Sequence, residues 1–161
     1  MSLWTHPPVA EPVMRSTQLP TLFIPPDNGG FVGVDDGVVD LGRVLVPVAP
    51  EPDPQASIDV VHDLGGLLGL TALEVTVLHV DKEAGAPRLH LPKEPAGWTW
   101  NQVSAEGAVV ETVVDAASGA GTDLVVMTTR GPQGFLGALR GSTASNIIRK
   151  CPCPVLAVPR E

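Results

Sequence analysis

No run of apolar residues in this 161-residue chain approaches the roughly 20 that a membrane-spanning helix needs. The opening MSLWTHPPVAEPVMR lacks a basic stretch followed by an apolar one, so no signal peptide is read there. Cysteine is scarce. Cys151 and Cys153 stand alone in Cys-Pro-Cys, too few for a structural zinc site. Their spacing around a proline would strain a bridge between them, so buried structural thiols are expected. Basic residues are also few: 10 Lys and Arg against 18 Asp and Glu give a net charge of -8. That balance argues against a nucleic-acid partner. His6, His62, His79 and His90 are scattered without metal-ligand spacing, and His79 is expected to be buried and hydrogen-bonded. No Gly-x-Ser-x-Gly elbow of a hydrolase is found. These absences leave a cytoplasmic, non-membrane protein as the expectation.

What is present is a foldable chain. Hydrophobic residues make up 43% of it, and the length suits one domain with a sizeable core. Residues 1–41 read as an N-terminal extension, with an edge strand near 21–24 and a hairpin at about 31–41. Asp35-Asp36-Gly37 is the turn signal of that hairpin, and with Asp40 it reads as a turn and its flank rather than an acid–base pair. Residues 42–161 alternate strand and helix patterns. Arg43–Val48 is a continuous apolar run, as a strand buried on both faces requires. A helix follows, with Asp53 as N-cap and Pro54 at its first position. Further strands are expected at Leu73–Val80, Trp98–Val103, Asp123–Met127 and Val155–Val158. Trp98 and Trp100 fall on one face of theirs. Helices are expected from about Ala108 to Ser118 and from near Ser142 to Arg149. Alternating strands and helices imply an open parallel five-stranded α/β sheet with helices on both faces, Rossmann-like in kind. One short repeat stands out: Leu19-Pro-Thr-Leu-Phe-Ile-Pro25 echoes Cys153-Pro-Val-Leu-Ala-Val-Pro159.

Charge and glycine converge on one segment. Residues 130–160 hold Arg130, Arg140, Arg149, Lys150 and Arg160, half of the 10 basic residues, and no acid. Glycines 131, 134, 137 and 141 allow a backbone to turn and offer N–H groups to an anion. Gly141-Ser142-Thr143 opens a helix, whose free N–H groups favour phosphate. The segment follows the carboxyl end of a strand, where open sheets bind ligands. No lysine precedes Ser142, so this is not a Walker A loop.

Asp123 to Pro159 is similar to the C-terminal signature of universal stress proteins: a strand ending in Met127, then Gly131, nine residues, Gly141-Ser142, a helix and Cys153-Pro-Val-Leu156. Arg43–Val48 and Leu78-His-Val80 resemble that family's first strand and the end of its second. The resemblance implies a pocket of Pro47, Ala49, Val80, Met127, Thr128, Arg130, Gly131, Gly141, Ser142 and Thr143, able to take ATP or AMP with Mg²⁺. It implies a homodimer through the fifth strand, Val155–Val158, and no enzymatic activity beyond, at most, slow ATP hydrolysis. Residues 19–41 resemble the junction inside tandem members, and Thr21–Ile24 is expected to add to a sheet edge beside Val155–Val158, of the same chain or its mate. Two departures weaken the nucleotide reading. Ala49 replaces the family's adenine-contacting carboxylate, and Thr128 replaces its first loop glycine. Three functions follow as expectations: a dimeric regulatory protein with an anion or nucleotide pocket, an ATP or AMP sensor, or an interaction module with a vestigial pocket. A receiver-type domain would need acids after its strands that Val48-Ala49 and Gln102-Val103 do not supply.

Overall fold

The computed structural model describes residues 18–80, 85–93, 97–130 and 143–160. Six strands form one sheet: β1 (Thr21–Phe23), β2 (Arg43–Val48), β3 (Leu73–Val80), β4 (Trp98–Ala105), β5 (Leu124–Arg130) and β6 (Val155–Arg160). Three helices accompany them among the described residues: α1 (Gln55–Leu67), α2 (Val109–Gly119) and α3 (Thr143–Lys150). The spatial order is β1-β6-β5-β2-β3-β4. β2 to β6 are mutually parallel, and β1 joins the β6 edge antiparallel. The five-stranded parallel sheet expected from the sequence is thus present, and the N-terminal strand makes it six.

Two cores explain why strands β2, β3 and β5 read as apolar runs. On one face Val44, Val46, Val75, Val77, Leu124 and Val126 pack with Ala56, Ile58 and Val61 of α1. On the other, Leu45, Leu78, Val125 and Val155 pack with Val113 and Ala117 of α2 and Ile147 of α3. A parallel sheet buried on both faces has no side on which to alternate polar residues. Cys151 and Cys153 sit in this second core, both reduced and buried. Hydrogen bonding to Cys153, together with burial, pushes the Cys151 thiol up, while the same hydrogen bond holds Cys153 down. They are core residues, as expected.

Boundaries moved in places. β5 runs on to Arg130 because β6 reaches Arg160 alongside it, pairing Thr128 with Val158 and Arg130 with Arg160. β4 extends to Ala105 because β3 pairs with it along its whole length. Pro54, directly before α1, already has helical dihedrals (φ -75°, ψ -13°), as expected of a first helical position. Asp53 still serves the helix start, accepting a hydrogen bond at Oδ1 from the Gln55 N–H at 3.0 Å. The hairpin closes through a bridge between Val32 and Val39, with Gly37 at φ +68°. Leu41 behind it is 5% exposed.

The end of α1 illustrates why one glycine is where it is. Trp98 of β4 lies against Gly65, and a Cβ there would collide with the indole ring. The indole N–H donates to Leu70 O at 2.9 Å. Glycine costs helix propensity, and here the cost is offset by an aromatic ring packed directly on the backbone. Gly65→Ala is expected to lower unfolding stability by about 1–3 kcal/mol, the range for forcing volume into a packed core, read from urea denaturation.

α2 and α3 are tied at the surface by the Lys150 ammonium and Glu111 carboxylate, 3.1 Å apart. The hydrogen bond from Lys150 holds the Glu111 carboxyl below its usual range. A depressed carboxyl contributes stability above its unfolded pKa and loses it as pH falls through the folded one. Lys150→Ala is therefore expected to move the Glu111 titration upward, toward the ordinary value, in a carboxyl-detected NMR titration.

Candidate functional site

The sheet order reverses between β2 and β5: from β2 the chain proceeds outward to β3 and β4, from β5 outward to β6. Such a switch point opens a crevice at the carboxyl ends of the strands. The backbone pairing at this switch point is short. β2 pairs with β3 over six positions, but with β5 only at Val44–Leu124 and Leu45–Val125. Beyond Leu45 and Val125 no backbone pairing joins the two central strands.

Around this gap lie several of the residues expected from the sequence. Pro47 is half-buried in β2 and Ala49 is exposed just past its end. Met127 is buried in the second core. Thr128 is half-buried and Arg130 exposed at the end of β5. Thr143 is exposed at the first position of α3. Val80 ends β3 and is buried in the second core, against α2 and α3. Gly131, Gly141 and Ser142 lie outside the described residues.

Thr128 has a role that the sequence did not suggest. Its Oγ1 and the Ser57 Oγ are 2.6 Å apart. Ser57 belongs to the first turn of α1 and is 0% exposed. The threonine hydroxyl is therefore engaged with α1, and the pair ties the start of α1 to the end of β5 beneath the gap. Arg130 meets Glu51 of the loop after β2, with Nη2 to Oε2 at 3.6 Å. This ion pair crosses between the chain segments that follow β2 and end β5. Both groups are well exposed, at 65% and 81%, so the pair is weak and open to competition from another anion.

His79 is 4% exposed and its Nδ1 lies 3.1 Å from Val48 O, which binds the ends of β3 and β2 together. Its Nε2 has no hydrogen-bond partner among the described residues, nor has the buried Thr129 Oγ1. His79 is thus buried and hydrogen-bonded as expected. Ser57 and Glu51 were not picked out from the sequence. Ser57 carries one weak signal, a polar residue beside Ile58 in the first helix after the first strand of the parallel sheet. Glu51 carries none. Among the described residues no cluster of three or more His, Cys, Asp or Glu is placed to hold a metal. No helix among them is long and apolar enough to cross a membrane. A cavity of about 410 Å³ lies at the other end of the sheet, between the 31–40 hairpin and Thr122–Asp123.

The model of the universal stress protein family matches residues 94–159. The resemblance read from the sequence over Asp123–Pro159 is borne out for that stretch. No curated protein matches the chain. Among solved structures, a universal stress protein from Archaeoglobus fulgidus DSM 4304 is similar in fold, with a TM-score of 0.64 at 18% identity. The similarity covers 94% of this chain and 53% of that one. A universal stress protein in complex with cAMP gives a TM-score of 0.55 at 17% identity, over 75% of this chain and 98% of that one. An Arabidopsis thaliana universal stress protein family member with AMP bound gives 0.50 at 12%, over 74% and 92%. At these identities the likeness shows the α/β fold.

The hydroxyl pair at the gap is open to test. Thr128→Val removes one hydroxyl and leaves the buried Ser57 Oγ without that partner. The expected loss is about 1–3 kcal/mol, the cost of a buried polar group left unsatisfied. Ser57→Ala with Thr128→Val is expected to recover part of it, measured by chemical denaturation as a double-mutant cycle.

Proposed function

We propose that this chain is a non-enzymatic regulatory protein of the universal stress type, whose crevice between β2 and β5 takes a small anion or the phosphate end of an adenine nucleotide. The end of the β2–β5 pairing at Leu45 and Val125 is the observation that supports this reading most. It falls at the position where open α/β sheets bind ligands. Arg130 supplies a cation whose partner Glu51 is exposed, so a phosphate can replace that carboxylate at small cost. Thr143 stands at the start of α3, the helix end whose dipole favours an anion.

The base end fits a nucleotide less well than the phosphate end. Ala49 offers no polar side-chain atom where the resemblance implies a carboxylate. The Thr128 hydroxyl, already hydrogen-bonded to Ser57, supplies a neutral group and not a carboxylate. Two universal stress proteins of similar fold were solved with cAMP and with AMP, which supports adenine nucleotides as the ligand class to try first. ATP with Mg²⁺ belongs in the same series.

The expectation is that inorganic phosphate, AMP and Mg-ATP compete for one site and raise the melting temperature. Arg130→Ala weakens all three several-fold, and ATP is recovered intact after prolonged incubation. Titration calorimetry and thermal shift read the binding. Absence of heat and of any shift with all three ligands at millimolar excess overturns the proposal in favour of an interaction module. Steady release of phosphate from ATP overturns its non-enzymatic part.

A further inference from the structure

The repeat found in the sequence acquires a meaning in three dimensions. Its two copies, Leu19–Pro25 and Cys153–Pro159, contain β1 and β6, and these strands pair with each other antiparallel. Leu22 of the first copy stands opposite Leu156 of the second, and these are equivalent positions of the repeat. Thr21, the counterpart of Val155, pairs with Ala157. Phe23, the counterpart of Ala157, pairs with Val155. Residue i of one strand meets the counterpart of j, and j meets the counterpart of i. That is the arrangement of a two-fold contact between identical strands, here made within one chain with its axis at the Leu22–Leu156 pair.

We infer that β1 stands in for the β6 of a second copy of this chain, and that it keeps the β6 edge closed against such a copy. Residues 155–157 cannot pair with β1 and with another β6 at once. β6 is otherwise an open, apolar edge at the end of a sheet, a template for strand pairing. The same β6 is self-complementary in the Leu156–Leu156 register that β1 imitates, so the partner fitted to the vacated edge is another β6. β1 does not recreate the hazard on its own outer side. It is three residues long and flanked by Pro20, Pro25 and Pro26. Short edge strands and prolines discourage further pairing. Phe23 holds it down, packing in a small cluster with Ala157 and Ile148. The segment behind it is anchored separately, with the Asn28 amide donating to Pro152 O at 3.0 Å. The homodimer through Val155–Val158 that the sequence resemblance implies is therefore the form taken when β1 is displaced. This inference does not depend on any ligand of the crevice.

The test is the molar mass of the full chain by light scattering, from micromolar to hundreds of micromolar. The unaltered chain is expected to be monomeric throughout. Phe23→Asp places a carboxylate in the Ala157–Ile148 cluster and Leu22→Pro disrupts the strand at its central pair. Each is expected to give a concentration-dependent dimer with unchanged far-UV circular dichroism. A synthetic peptide of residues 18–26, added in excess, is expected to return those dimers to monomers. A dimeric unaltered chain overturns the inference without recourse to any variant. So do folded variants that stay monomeric, and dimers that the peptide leaves intact.

Discussion

Asp123 accepts hydrogen bonds from the backbone N–H groups of Gly42 at 2.9 Å and Arg43 at 2.8 Å, while its own N–H donates to Arg43 O at 2.9 Å. These three bonds set where β2 starts beside β5. The ladder that follows is only two pairs long. A parallel sheet that changes direction must bring together two strands that are far apart in sequence, and here one carboxylate pins them at their amino ends. No backbone pairing joins the opposite ends, where the crevice lies. The Ser57–Thr128 and Arg130–Glu51 contacts span these ends through side chains rather than through a backbone ladder.

The strands of this fold are legible in the sequence for a simple reason. RVLVPV and LEVTVLHV lie in the middle of a sheet covered on both faces, and burial leaves them mostly apolar. The pairing of the N-terminal strand was legible too, through the resemblance of residues 19–41 to a tandem junction, with the echo of Leu19–Pro25 in Cys153–Pro159 beside it. Strand ends were not. Thr128, Thr129 and Arg130 look like loop residues, and only the neighbouring β6 makes them strand. The contacts that shape the candidate site were hidden for a related reason. Ser57 and Thr128 are 71 residues apart, and no local pattern announces a hydroxyl pair at that separation. What the sequence did give at the site was chemical type: Arg130 as a cation at the end of β5, and Ala49 as an absence.

That absence bears on what the fold is used for. The same α/β frame holds a crevice whether or not a base is recognised in it, because the crevice comes from strand order. Recognition needs side chains, and at this gap the described ones are an alanine, a hydroxyl already bonded to Ser57, and an arginine paired with an exposed carboxylate. Charge selection is better provided for than base selection. In a chain of net charge -8, the Arg130 cation at the end of β5 is already faced by the exposed Glu51 carboxylate.

The opposition of Leu22 and Leu156 also constrains how this chain can change over generations. A substitution at Leu156 alters the contact with β1 and, equally, any contact that β6 makes with a copy of itself. A substitution at Leu22 alters the first alone. On the inference that β1 closes the β6 edge against a second copy, drift at position 22 would retune the balance between closed and paired forms without touching the domain, whereas drift at position 156 would shift both together.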